Sequence, residues 1–209
     1  MAANKQFSTY DMVATALFIS IVFLLNVTPL GYIRLPLIAA TTLHIPIIVG
    51  SIILGPKIGA VLGLCFGITS LWGTFTAPSA LSFIFSPFIS GNLWSLFICF
   101  VPRILLGIIP YFIYKLYMKI SGGRFDVVGL GVAGALSTAL HTLMVMNLAY
   151  LFFGERMAEA FGVAVNAVYA VVVTIMVSNG VPEAIVGTVF AMAVCKPLLI
   201  LRKKRNSNA

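Results

Sequence analysis

From Asn92 to Lys119 the chain is almost wholly apolar, and its one interior charge before the basic end of the stretch is Arg103. On a helix starting near Leu93, that side chain lies about 15 Å down the axis at ~1.5 Å per residue. Reaching a headgroup from there is hard. A charge at the centre of a membrane helix costs roughly 2.5–3.5 kcal/mol on insertion scales, and such residues face a partner or a wet cavity. Pro102 immediately precedes it and has no N–H, so the carbonyl of Ile98 loses its helical donor. Two readings follow. A buried guanidinium beside a loose carbonyl can hold an anionic ligand, because its planar fork matches a carboxylate with two parallel hydrogen bonds. Alternatively, the arginine is buried against helix carbonyls for structure alone.

Other polar side chains fall at the same depth if the amino terminus is inside and the helices alternate in direction. His141 and Asn147 lie in the outer half of a fifth span, Asn179 near the outer start of a sixth, and Glu183 one turn later. The inner halves of these spans hold almost no polar groups, as an outward-facing pocket requires. His141 and Asn147 are six residues apart, about 120° around a helix, so they do not both point squarely into one pocket. His141 is either a ligand contact or a satisfied structural residue. Glu183 either neutralises Arg103 or leaves it for a ligand. Asn92 stands eleven residues before Arg103, nearly on the same face if the helix is continuous. Trp72 and Trp94 lie near the outer interface, as an aromatic belt or as stacking surfaces. The candidate substrate-binding set is therefore Arg103, Asn92, His141, Asn147, Asn179, Trp72 and Trp94.

Several chemistries are excluded. No phosphate-cradling GxxxxGK[ST] loop exists, so the chain does not hydrolyse ATP itself. There is no HExxH, no GxSxG and no intramembrane pair of carboxylates. Of the five acidic residues, only Glu183 falls within a span, whereas an ion-coupled carrier ordinarily needs membrane carboxylates. Cys65, Cys99 and Cys195 sit singly in apolar runs and form no metal or disulfide framework. Neither a cofactor nor a metal is called for.

These residues must be positioned by membrane helices. The 209-residue chain is 61% hydrophobic and 9% charged, with a mean hydropathy of +1.10; a soluble domain carries about 25% charged residues. The reading is an all-α integral membrane protein, a single domain of six transmembrane helices with long extracellular loops. Spans are expected at about 12–27, 37–54, 58–72, 93–117, 127–153 and 180–201. The polar amino-terminal segment lacks a signal-peptide core, so the first span is expected to be retained. The net charge of +8 is a membrane-edge pattern rather than a nucleic-acid footprint. With six spans, Lys5, Lys57, Lys115, Lys119, Arg124 and the tail Arg202-Lys203-Lys204-Arg205 all fall inside, leaving Arg34 and Arg156 as outer-loop cations. Both termini are then cytoplasmic. Residues 161–178 are left as an outer cap or as an extension of a neighbouring helix, and 73–91 as a long structured loop interrupted by Pro78 and Pro87.

Small residues form ladders: Gly59, Gly63 and Gly67 on the third span, Gly129, Ala133 and Ser137 on the fifth, Ala16 and Ser20 on the first. Such faces let helix backbones approach closely. On the third and fifth spans the expected use is packing inside the bundle.

A basic chain of about 200 residues with six predicted helices and a small-xxx-small pair on the first resembles the substrate-binding S components of energy-coupling factor (ECF) vitamin transporters of bacteria. Ala16-Leu17-Phe18-Ile19-Ser20 is similar to that family's AxxxA motif, with Ser20 in place of the second alanine. Val101-Pro102-Arg103-Ile104-Leu105-Leu106-Gly107 is similar to its Pro-Arg…Gly segment. The likeness covers nearly the whole chain and is greatest for the pantothenate-type S component. The resemblance implies a plasma-membrane subunit, not an enzyme, that captures a vitamin, here pantothenate, from outside. It implies docking through Ala16 and Ser20 on a membrane scaffold subunit driven by two cytoplasmic ATPase subunits. Loops 28–42, 73–91 and 154–178 would gate the pocket. The competing readings are an S component for another small vitamin and a self-sufficient secondary carrier.

Overall fold

The computed structural model describes residues 8–35 and 38–207, and the lysine at position 5 lies outside them. Helix α1 (Thr9–Val27) is started by Ser8, whose Oγ accepts from the Asp11 N–H. It is predominantly apolar, and Val22 is its one buried residue. A short 3₁₀ turn, Pro29–Gly31, leads into an antiparallel hairpin, β1 (Tyr32–Leu35) and β2 (Ile38–Thr41), in which Tyr32 faces Thr41 and Leu35 faces Ile38. The side chain of Arg34 is outside the described part.

The expected second span, 37–54, is divided. Its first part is β2, and only His44–Leu54 forms helix α2, 11 residues long and so about 16 Å. Pro46 explains where the helix begins. Proline has no N–H and its ring clashes with the carbonyl four residues earlier, so it is tolerated only in a first turn; here it is the third helical residue. Every residue of α2 except Ile45 is buried.

At Gly55, φ is +98°, and Pro56 opens α3 (Pro56–Thr76) at the first helical position. The turn expected at Gly55-Pro56-Lys57 is thus present, and α3 runs a turn beyond Trp72. The 73–91 stretch then holds a 3₁₀ turn, Ser82–Ile84, and the four-residue α4 (Pro87–Ser90), closed by left-handed Gly91. Pro87 begins that helix rather than breaking one. Helix α5 (Trp94–Ile120) contains Pro102 and Pro110.

Helix α6 (Asp126–Phe161) does not stop at Phe153. That residue departs from helical geometry (φ −134°, ψ 21°), and the chain continues past the kink for two more turns. Helix α7 (Val168–Ser207) is one piece of 40 residues, about 60 Å long. The segment left open at 161–178 therefore resolves mostly as an extension of the last helix. Asn179-Gly180-Val181-Pro182 lies inside α7, not at its start.

Helices α1, α3, α5, α6 and α7 are long and apolar enough to cross a membrane, and α2 is shorter. All-helical membrane architecture is thus the outcome, apart from the one hairpin. The glycine ladders do what such spacing permits. A Cβ on Gly59 would collide with the Gly107 carbonyl, one on Gly63 with the Arg103 carbonyl, and one on Gly67 would come within 2.6 Å of the Phe100 ring. Helices α3 and α5 are consequently in backbone contact. Gly134 and Gly187 bring α6 and α7 together in the same way, and Gly129 packs on Tyr117 of α5.

Candidate functional site

Arg103 is 5% exposed. Its Nη1 donates to the carbonyl of Ile98 at 2.7 Å, the acceptor that Pro102 leaves without a helical donor. Proline and arginine thus work as a unit: one exposes the carbonyl and the next satisfies it. The guanidinium carbon also lies 4.4 Å from the Phe85 ring centroid and 5.6 Å from that of Phe66. Both distances suit cation–π attraction, which strengthens where water is excluded. Phe66 comes from α3, and Phe85 from the stretch between the 3₁₀ turn and α4.

Phe66 is shared. Its ring centroid is 6.1 Å from that of His141 on α6. The His141 Nε2 is buried and makes no hydrogen bond among the described residues, and the same holds for Oδ1 of Asn179 on α7. Gly180 lets α7 pack on Thr142, the neighbour of His141, with 3.3 Å from a would-be Cβ to the threonine methyl. Phe66 thus links Arg103 to His141, and Thr142 beside His141 meets Gly180 beside Asn179. Because α7 begins at Val168, Asn179 lies within a long helix and not at a helix end.

Glu183 lies one turn further along and is engaged elsewhere. Its Oε1 accepts from the Thr41 backbone N–H at 2.7 Å and from Thr41 Oγ1 at 3.1 Å, fastening the base of the hairpin to α7. Nearby, His44 at the start of α2 packs toward Gly187, with 3.4 Å between its Nε2 and a would-be Cβ there.

The remaining candidates are not gathered around Arg103. Asn147 diverges from His141 as the 120° spacing requires. Its Nδ2 donates to the Leu143 carbonyl at 2.8 Å, and its Oδ1 accepts from the Tyr169 hydroxyl at 3.5 Å, toward α7. Asn92 precedes α5 and is exposed; its Oδ1 accepts from the Trp94 N–H at 3.1 Å, a cap rather than an inward contact. Trp94 stacks on Phe152 at 4.1 Å between centroids. Trp72 is 63% exposed. Phe66, Phe85 and Thr41 were not legible as site residues. An aromatic ring in an apolar run carries no mark of the cation it will meet.

On α1, Ala16 and Ser20 are both exposed, and Ser20 Oγ bonds back to the Ala16 carbonyl at 2.9 Å. Both side chains are small and lie on the outside of α1.

Comparison with known proteins places these features in context. Residues 10–195 match the model of the family described as ECF transporter, substrate-specific component. The pantothenic acid transporter PanT of Lactococcus lactis subsp. cremoris is 34% identical over 98% of this chain and all of its own length. The pantothenate transporter PanT of Leuconostoc mesenteroides subsp. mesenteroides is 26% identical, with 98% of each chain covered.

The pairing of Pro102 with Arg103 makes a testable coupling. Arg103→Ala strands the buried Ile98 carbonyl and is expected to lower stability by about 1–3 kcal/mol from that group alone. Pro102→Ala supplies the missing N–H four residues on. In that background the Arg103→Ala cost should shrink by about 1 kcal/mol, read as a double-mutant cycle of unfolding free energies in detergent. Strictly additive effects would mean that the Ile98 bond carries no stability.

Proposed function

We infer that this chain, which belongs to the family of ECF transporter substrate-specific components, captures pantothenate on the outer side of the membrane and hands it to a partner ECF module. Pantothenate enters the reading from the names of the two relatives. The observation that carries it in this chain is Arg103, a buried cation against Phe66 and Phe85, with His141 also against Phe66. The guanidinium receives the carboxylate. His141 Nε2 and Asn179 Oδ1, buried polar atoms with no bond among the described residues, suit the hydroxyls and amide. Asn147, with Trp94, Trp72 and Asn92 nearer the ends of their helices, lines the route in. Metal and cofactor have no part in this reading.

The five membrane-length helices, with α2 as the sixth and shorter element, form a six-span topology with both termini cytoplasmic. The segments 28–42 and 73–91, and the α6–α7 connection, lie on the outer side. The basic tail favours that orientation. A cysteine at position 206 should then be unreachable by impermeant reagents outside intact cells. External labelling there would reverse the orientation and the pocket's side.

Energy comes from partners: a membrane scaffold subunit and two cytoplasmic ATPase subunits. The Ala16/Ser20 face of α1 meets the scaffold. Ala16→Leu or Ser20→Leu should abolish uptake in cells and leave pantothenate affinity within about threefold of the parent, since a large side chain holds a partner helix away without touching the site. Equal loss of binding and transport would place α1 inside the bundle's working core instead.

The substrate itself is tested by calorimetric titration of the purified protein with pantothenate and with its uncharged alcohol analogue. Wild type should prefer the acid. Arg103→Ala should lose that preference and weaken acid binding by roughly 3–5 kcal/mol, and Arg103→Lys by less, because the charge stays and the fork is lost. Glu183→Gln should keep the preference. Equal affinity of wild type for acid and alcohol would remove Arg103 from the carboxylate-binding role.

A further inference from the structure

Arg156 is the second guanidinium in contact with the segment that covers the first. It follows the kink at Phe153, on the last turns of α6, and is half-buried. Its charged neighbours on that helix are Glu155 and Glu159, yet its described hydrogen bonds go across to the segment before α5. Nη1 donates to the Ser90 carbonyl and Nη2 to the Ile89 carbonyl, each at 3.0 Å. These carbonyls end the four-residue α4, where intrahelical donors run out, so one planar fork caps two of them. The same guanidinium lies 4.8 Å from the Phe83 ring centroid, and Phe153 meets Phe83 edge-on at 5.7 Å.

Phe83 is two residues from Phe85, the ring on Arg103. Residues 82–90 are therefore strapped between two arginines, one at the buried site and one at the periphery. On the α5 side the strap is held by buried Ser95, whose Oγ donates to the Phe83 carbonyl at 2.7 Å. It ends at Gly91, whose φ of +69° favours glycine and gives the chain its turn into α5. The backbone that carries Phe85 cannot move off the guanidinium unless the strap shifts, and Arg156 holds both α4 carbonyls of that strap.

We propose that Arg156 is a positioning residue, the latch that keeps the 82–90 strap closed over Arg103 and so sets how long a ligand stays bound. The proposal rests on Arg103 being the ligand's anchor. Arg156 acts through the strap and touches no ligand. Arg156→Gln removes the charge and the fork; Arg156→Lys keeps a charge over Phe83 but cannot bond both carbonyls in one plane.

The test has two arms on the full-length protein in detergent. Without ligand, modification of Arg103 by an arginine-specific dicarbonyl reagent is followed by peptide mass spectrometry. It should be about tenfold faster in Arg156→Gln than in wild type, and intermediate in Arg156→Lys. With ligand, dissociation of radiolabelled pantothenate should accelerate by a similar factor while the association rate changes less. Unchanged Arg103 modification in both variants would overturn the latch, whatever the ligand. Faster modification with unchanged dissociation would overturn its role in retention. If wild type binds no pantothenate, the substrate reading fails by itself, and the modification arm still decides whether Arg156 closes access to Arg103. If Arg156→Gln does not fold, Arg156→Lys carries both arms, and wild-type values in it would overturn the latch.

Discussion

The bond from Arg103 to the Ile98 carbonyl is the contact on which the rest of this bundle depends. A charge within a membrane bundle is tolerated when protein groups replace the water it has lost. Pro102 creates the need and the means together, by removing a donor and leaving an acceptor within reach of the next side chain. Once the guanidinium is fixed there, its faces are settled by Phe66 from α3 and Phe85 from the strap. That arrangement ties three distant parts of the chain to one point. The contact is structural, and the same guanidinium shares the Phe66 ring with His141.

Close approach of α3 to α5 makes this possible. Gly63 leaves no room for a Cβ beneath the Arg103 carbonyl, and Gly59 meets Gly107 backbone to backbone. Without an aqueous hydrophobic effect to drive helices together, small residues and dispersion set how near they come. The same physics holds α6 to α7 through Gly134 and Gly187. By contrast, α1 buries little beyond Val22, and its small-residue pair faces outward. Identical spacing in sequence thus serves internal packing on one helix and an outer face on another.

The hairpin poses a second constraint. Two strands leave unpaired edge groups, which need a partner wherever water is excluded. At Thr41 the answer is Glu183, whose carboxylate takes the backbone N–H and the hydroxyl together. A buried carboxylate and a half-buried edge donor thereby satisfy each other. Because α2 starts only at His44, the hairpin and this half-length helix share a stretch of chain that could have formed one span.

Much was determined by the sequence alone. Apolar runs specified membrane helices, and the position of Arg103 ten residues into one of them marked a buried cation. Pro102 identified the very carbonyl that the cation meets, and six-residue spacing fixed the divergence of His141 and Asn147. These are local properties, written in hydropathy, in proline's missing donor and in 3.6-residue periodicity. What only the tertiary structure decided is pairwise and distant: Phe66 and Phe85 on the guanidinium, Thr41 on Glu183, Arg156 on α4. The lengths of α2 and α7 belong to the same class. Residues 37–54 and 161–201 are predominantly apolar, so composition alone cannot say where a helix gives way to a strand or continues through Asn179-Gly180-Val181-Pro182. Burial on every side of α2, and packing of α7 against α6 by way of Gly180 and Gly187, made those choices. Such contacts exist only once the whole bundle is assembled.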